Sequence, residues 1–122
     1  MHRAEIKDIL EIMQESTLLV QSRSKSIRAA DDFSSSLEGA TLLDAISMRL
    51  QVIGESVKRI QKIAPSFLDG YGEIEWAKIA KFRDLVSHHY ESMDHEIVFD
   101  ICKVHIPKLA TALKRMLVEI DR

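Results

Sequence analysis

From Leu43 the apolar residues fall at Leu43, Ile46, Leu50, Ile53, Val57, Ile60 and Ala64, alternating steps of three and four. That alternation keeps one stripe of an α-helix apolar over three heptads, the seam of a helix packed lengthwise on its neighbours. Pro65 follows, and the residue before a proline is pushed out of helical geometry. The pattern predicts a helix from about Leu37 to Ala64, with the stripe serving as core or as an interface between copies. An earlier helix, about Ala4 to Ser22, places Ile6, Ile9, Met13 and Val20 on one side. Between them, Ser22 to Thr41 is rich in Ser, Asp and Gly and reads as a connection, with a short helical turn around Ile27 to Ala30.

A loop from Ser66 to Glu73 carries Gly70 and Gly72, and a third helix is expected from about Glu75 to His89, burying Trp76, Ile79, Ala80 and Val86. The last segment, Asp94 to Asp121, carries Ile97, Ile101, Val104, Leu109, Leu113, Leu117 and Ile120. Pro107 falls inside it, and an interior proline costs a helix about 3 kcal/mol, so a kink or break is expected near Val104. No strand pattern, repeat or low-complexity tract interrupts the helical periodicity. The expected architecture is an all-α bundle of four to five helices, with residues 1–122 forming a single domain.

Composition narrows the class. The net charge of −2 supplies no global cationic field, which counts against a nonspecific nucleic-acid binder and leaves room for a local basic patch. A single cysteine, Cys102, makes no internal disulfide, and the chain lacks both an apolar signal core at its start and a run approaching the roughly 20 residues of a membrane span. A cytoplasmic, soluble protein with no membrane association is the expectation.

The chemistry concentrates in Lys81-Phe82-Arg83-Asp84-Leu85-Val86-Ser87-His88-His89-Tyr90. Arginine offers a planar fork of donors to a phosphate, and histidine exchanges protons near neutral pH. Together these groups suit phosphodiester cleavage without a metal: a histidine takes the proton of an RNA 2′-hydroxyl and an arginine stabilises charge on the phosphoryl oxygens. Asp84 and His88 are four apart, one turn on the same side, so the carboxylate could orient the imidazole. Arg83 and His88 are five apart, about 140° around an ideal axis. They share a cleft only if the helix ends or bends near His88, or if two copies meet at a twofold axis; the dimer is the favoured reading.

Plainer readings compete. Arg83 and Asp84 could form a surface ion pair. Tyr90 could be an ordinary amphipathic residue, and Glu55 could support Arg83 or pair locally. Lys58, Arg59 and Lys62, like Arg23, Lys25 and Arg28, read more readily as solvated faces than as a substrate groove. His88 and His89 with His95, or Cys102 with His105, make a poor metal set, because adjacent helical histidines diverge and no second cysteine completes a zinc site. No metal or cofactor is expected.

Arg83, four residues, His88, one residue, Tyr90 resembles the motif of HepT-like toxins, a branch of the HEPN superfamily of helical ribonucleases. The flanks agree: Ile53-Gly54-Glu55, the run Ile74-Glu75-Trp76-Ala77-Lys78-Ile79-Ala80 leading into Arg83, Asp94-Ile97-Val98-Asp100 after Tyr90, and Pro107 before the final stretch. The resemblance covers about Leu42 to Leu117 and implies a helical homodimer whose Arg83 and His88 form a composite RNA-cleaving site. It also implies a partner, an MntA-like nucleotidyltransferase antitoxin that transfers AMP to Tyr90 and so blocks the site. The chain departs from many members in carrying Asp84 where they have Asn, which adds negative charge where an RNA phosphate must approach. The expectation is a metal-independent endoribonuclease toxin acting on transfer or messenger RNA. The alternative is a non-catalytic helical subunit that binds a nucleotidyltransferase or a nucleotide.

Overall fold

In the computed structural model the chain is described for residues 2–89 and 94–122, with the backbone alone for residues 86–89. Among the described residues six α-helices follow in order: α1 (Arg3–Arg23), α2 (Leu37–Ile63), α3 (Trp76–Ala80), α4 (Phe82–His89), α5 (His95–Asp100) and α6 (Ile106–Ile120). They make four rods, since α3 abuts α4 and a π-helical segment, Ile101–His105, joins α5 to α6. No strand occurs among the described residues. The all-α expectation holds.

The heptad stripe explains the centre of the bundle. Leu43, Ile46, Leu50, Ile53, Val57 and Ile60 are all buried. They pack α2 against α1 on one side and against α3 and α4 on the other, while α6 closes over α1. On α1, Ile6, Ile9, Met13 and Val20 are buried as their spacing predicts. The chain ends are tied together: the Arg3 guanidinium donates to the carbonyls of Ile120 (2.6 Å) and Arg122, and Lys7 pairs with Asp121 at 2.9 Å. The first of these gives the carbonyl of Ile120, the last residue of α6, a partner that the helix itself cannot supply.

Three expectations need adjusting. The third helix is not continuous: at Lys81 the amide turns to the Lys78 carbonyl three residues back (3.1 Å), which tightens the chain and separates α3 from α4. The break lets Trp76, Ile79 and Ala80 on one piece and Phe82 on the other all reach the core. The helical turn expected at Ile27 to Ala30 lies slightly later, as a 3-10 turn over Ala30–Phe33. There the Asp32 carboxylate accepts from the amides of Arg28 (2.8 Å) and Ala29 (3.2 Å), and Phe33 is driven into the core. The loop after Pro65 contains a second 3-10 turn, Phe67–Tyr71.

Pro107 perturbs the chain near Val104 as expected, but the helical path continues. The Ile106 amide reaches five residues back to Ile101, a π-type bond that widens the turn just before Pro107, so the residue without an N–H enters where the regular i→i−4 ladder is already interrupted. Ile97 and Val104, expected among the apolar positions of this segment, are instead exposed.

Candidate active site

The approach of α2 to α4 sets the site. A Cβ built on Gly54 would lie 2.7 Å from the Arg83 amide nitrogen, 3.1 Å from the Ala80 carbonyl oxygen and 3.2 Å from the Arg83 Cβ. Only a glycine fits, because two of those neighbours are backbone atoms that cannot rotate away. The residues flanking this crossing are therefore held close. Glu55 and Lys58, three apart on α2, project toward Arg83 and Asp84, the second and third residues of α4.

Four charges meet there. Glu55 Oε1 accepts from Arg83 Nε at 3.1 Å, which fixes one edge of the guanidinium to α2. Lys58 Nζ lies 3.3 Å from each oxygen of the Asp84 carboxylate. Arg83 Nη1 approaches Asp84 Oδ1 at 3.7 Å and links the two pairs. Each of these side chains is half-exposed, so the cluster is open to solvent and contributes little to stability. Its consequence is directional: the Nε hydrogen is engaged, while among the described residues no hydrogen bond takes the Nη donors, which can turn to a ligand.

Of the residues singled out from the sequence, the structure brings Arg83 and Asp84 together with Glu55 and Lys58. For Glu55, support of the arginine is the arrangement present. Lys58, read from sequence as part of a solvated face, is in contact with Asp84; its three-residue spacing from Glu55 on α2 was the available signal. The His88 side chain and all of Tyr90 lie outside the described residues, so the orienting role expected of Asp84 and the modification expected at Tyr90 remain expectations. His95, weighed as a metal partner, instead stands edge-on to Phe33, and His105 stands edge-on to Phe82 and near Asp100 (3.8 Å). Among the described residues no three metal-ligating side chains cluster. Cys102 is buried, and that burial pushes its thiol from 9.0 up to about 11, leaving it without the thiolate a nucleophile needs. No described helix is long and apolar enough to cross a membrane.

The helical unit as a whole has recognisable relatives. The family described as ribonuclease HepT-like matches residues 5–116, so the chain belongs to the HepT-like family, with an all-α fold of HEPN type. A protein of Caldanaerobacter subterraneus subsp. tengcongensis named "putative RNase" is 30% identical over 106 residues, which are 87% of this chain and 88% of that one. The "probable ribonuclease HepT" of Thermococcus cleftensis is 28% identical over 110 residues, 90% of this chain and 94% of that protein. A Methanocaldococcus jannaschii protein named "gamma-glutamylcyclotransferase and putative RNase" is 29% identical over 120 residues, 98% of this chain. The chain spans 51% of that relative's length. No solved structure matches the fold significantly. Ribonuclease activity is thus supported at the level of the family.

Proposed function

We propose that the chain is a metal-independent endoribonuclease, the toxin of a toxin–antitoxin pair, with Arg83 and His88 as its catalytic residues. The observation that carries this is the Arg83 guanidinium held at the α2–α4 crossing by Glu55, in a family named for ribonuclease activity. His88 takes the proton from a 2′-hydroxyl, the freed oxygen attacks the adjacent phosphorus, and the bond to the 5′-oxygen breaks, that oxygen leaving with a proton taken from water. The products are a 2′,3′-cyclic phosphate and a 5′-hydroxyl end. Arg83 stabilises charge on the non-bridging oxygens during the attack. The reaction has no place for DNA, which lacks the nucleophile.

Arg83 and His88 stand on one continuous helix, and five residues along such a helix turn the second side about 140° from the first. Arg83 is turned toward α2 by Glu55. That geometry favours a homodimer in which Arg83 of one copy works with His88 of the other. Tyr90, two residues further on, is the residue at which a nucleotidyltransferase antitoxin would add AMP, and the added phosphate would repel an RNA backbone.

Cleavage of total cellular RNA by purified protein in EDTA, beside Arg83→Ala and His88→Ala, tests the reading. Discrete fragments ending in cyclic phosphates, from the wild type alone, are expected. Intact RNA from wild-type protein carrying no AMP on Tyr90 would refute it and favour a non-catalytic subunit that binds the nucleotidyltransferase.

A further inference from the structure

We infer that Lys58 is a positioning residue of this site, whose work is to cancel the charge of Asp84 so that an RNA phosphate meets Arg83 in a neutral setting. The inference rests on the ribonuclease reading and goes beyond it. The cluster contains two cations, Lys58 and Arg83, and two anions, Glu55 and Asp84. Glu55 is required to hold Arg83, so one positive charge is already matched. Asp84 would then leave the site net negative, where the substrate is a polyanion. Lys58 removes that excess, and it does so symmetrically, with its ammonium 3.3 Å from both carboxylate oxygens.

The contact also gives Asp84 a partner other than Arg83. Bound to Lys58, the Asp84 carboxylate stays 3.7 Å from Nη1, outside hydrogen-bond distance, so it leaves the Nη hydrogens free for phosphate. Without the ammonium, the carboxylate is free to close on the guanidinium and compete with the substrate for the same donors. Lys58 itself sits on α2, one turn beyond Glu55, and among the described residues it meets the site through Asp84. A direct phosphate contact from Lys58 is the rival role, and the two roles separate cleanly.

The test is a double-substitution cycle: wild type, Lys58→Met, Asp84→Asn and the double variant, with Lys58→Arg as the conservative control. Binding of a mixed-sequence 2′-O-methyl RNA oligonucleotide is measured, since it reads the site without turnover, beside kcat/KM on total transfer RNA. An uncancelled carboxylate about 6 Å from a phosphate, with both groups facing solvent and screened at close to water's dielectric of about 80, weakens binding about threefold. Lys58→Met is therefore expected to raise Kd by about that factor when Asp84 is present, chiefly through KM, and by less than about twofold in the Asp84→Asn background. Lys58→Arg should bind like the wild type, and the deficit of Lys58→Met should shrink in high salt. An equal loss in both backgrounds would overturn the inference in favour of a direct contact with RNA. An unchanged Kd with a lowered melting temperature would overturn it in favour of a structural pair. Wild-type protein that leaves total cellular RNA intact would instead sink the ribonuclease reading, and the inference with it.

Discussion

Gly54→Ala tests the claim that the α2–α4 crossing positions the site. The added methyl would stand 2.7 Å from the Arg83 amide nitrogen, and ordinary contact begins at 3.4 Å, so the helices must part by about 0.7 Å. Overpacking of this kind costs about 1–3 kcal/mol. Replacing a mid-helix glycine by alanine returns about 0.8–1.0 kcal/mol of helix propensity. The net destabilisation is about 1 kcal/mol, which for a domain of this size lowers the melting temperature by about 3–5 °C. The same parting stretches the 3.1 Å Glu55–Arg83 bond beyond hydrogen-bond distance, and displacements near 1 Å at a catalytic group can cost about 10²-fold in rate. Thermal unfolding at fixed protein concentration, with RNA cleavage rates alongside, reads both effects. Gly70→Ala is the control, because an added Cβ there meets nothing within 4 Å. If Gly54→Ala melts above the wild type and cleaves at the wild-type rate, the crossing has no steric limit and the reasoning fails.

Glu55→Ala should lower kcat/KM about tenfold or more while moving the melting temperature by under about 3 °C, since a half-exposed ion pair is worth only about 0–1 kcal/mol; Glu55→Gln, which keeps an acceptor for Nε, should recover part of the loss, and equal activity in all three proteins would remove Glu55 from the site. Stability should fall in alkali. Cys102 is raised from 9.0 to about 11 by burial, Tyr71 is raised from 10.0 by burial and its bond to Glu119, and Lys7 is raised from 10.5 by Asp121. Each folded-state value lies above the unfolded one, so each contribution is complete below the unfolded pKa and is lost as pH rises through the folded one. For Cys102 that window runs from 9.0 to about 11, and the loss amounts to about 2–3 kcal/mol. Urea unfolding across this range should steepen in the wild type and flatten in Cys102→Ala; identical slopes would rule out the buried thiol as the cause.

The bundle was legible because its information is periodic. The Leu43 to Ile60 stripe fixes which face of α2 is buried, and Pro65 and Pro107 mark backbone positions where geometry must change. The break at Lys81 was not legible: no glycine or proline marks it, and it follows from fitting Trp76, Ile79 and Phe82 into one core. The same limit applied to the site. Arg83 announced its chemistry by residue type and neighbours, whereas Glu55 and Lys58 joined the cluster only through the approach of two helices, which pairs residues 26 and 28 apart in sequence and which Gly54 permits. A glycine in the middle of an otherwise regular amphipathic helix was the one local sign that another backbone comes close there.

The arrangement of Arg83 and His88 on α4 leads to a stoichiometric prediction. Both positions are helical, so they leave the axis about 140° apart, and Arg83 is tethered toward α2. In the proposed homodimer, a site that needs both groups at one phosphate would be completed by the second copy, the arginine coming from one chain and the histidine from the other. Arg83→Ala and His88→Ala homodimers would each lack one group in both sites. Unfolded together and refolded at equal concentrations, they would form mixed dimers as about half of the population, and each mixed dimer would carry one intact site of two. Cleavage activity should therefore return to about one quarter of the wild-type rate per mole of protein, against nothing from either variant alone. If each chain held a complete site, every site in the mixture would still lack Arg83 or His88, and no activity would return. The refolded mixture thus separates a shared site from two private ones by a number set by counting alone, with no assumption about which RNA is cut.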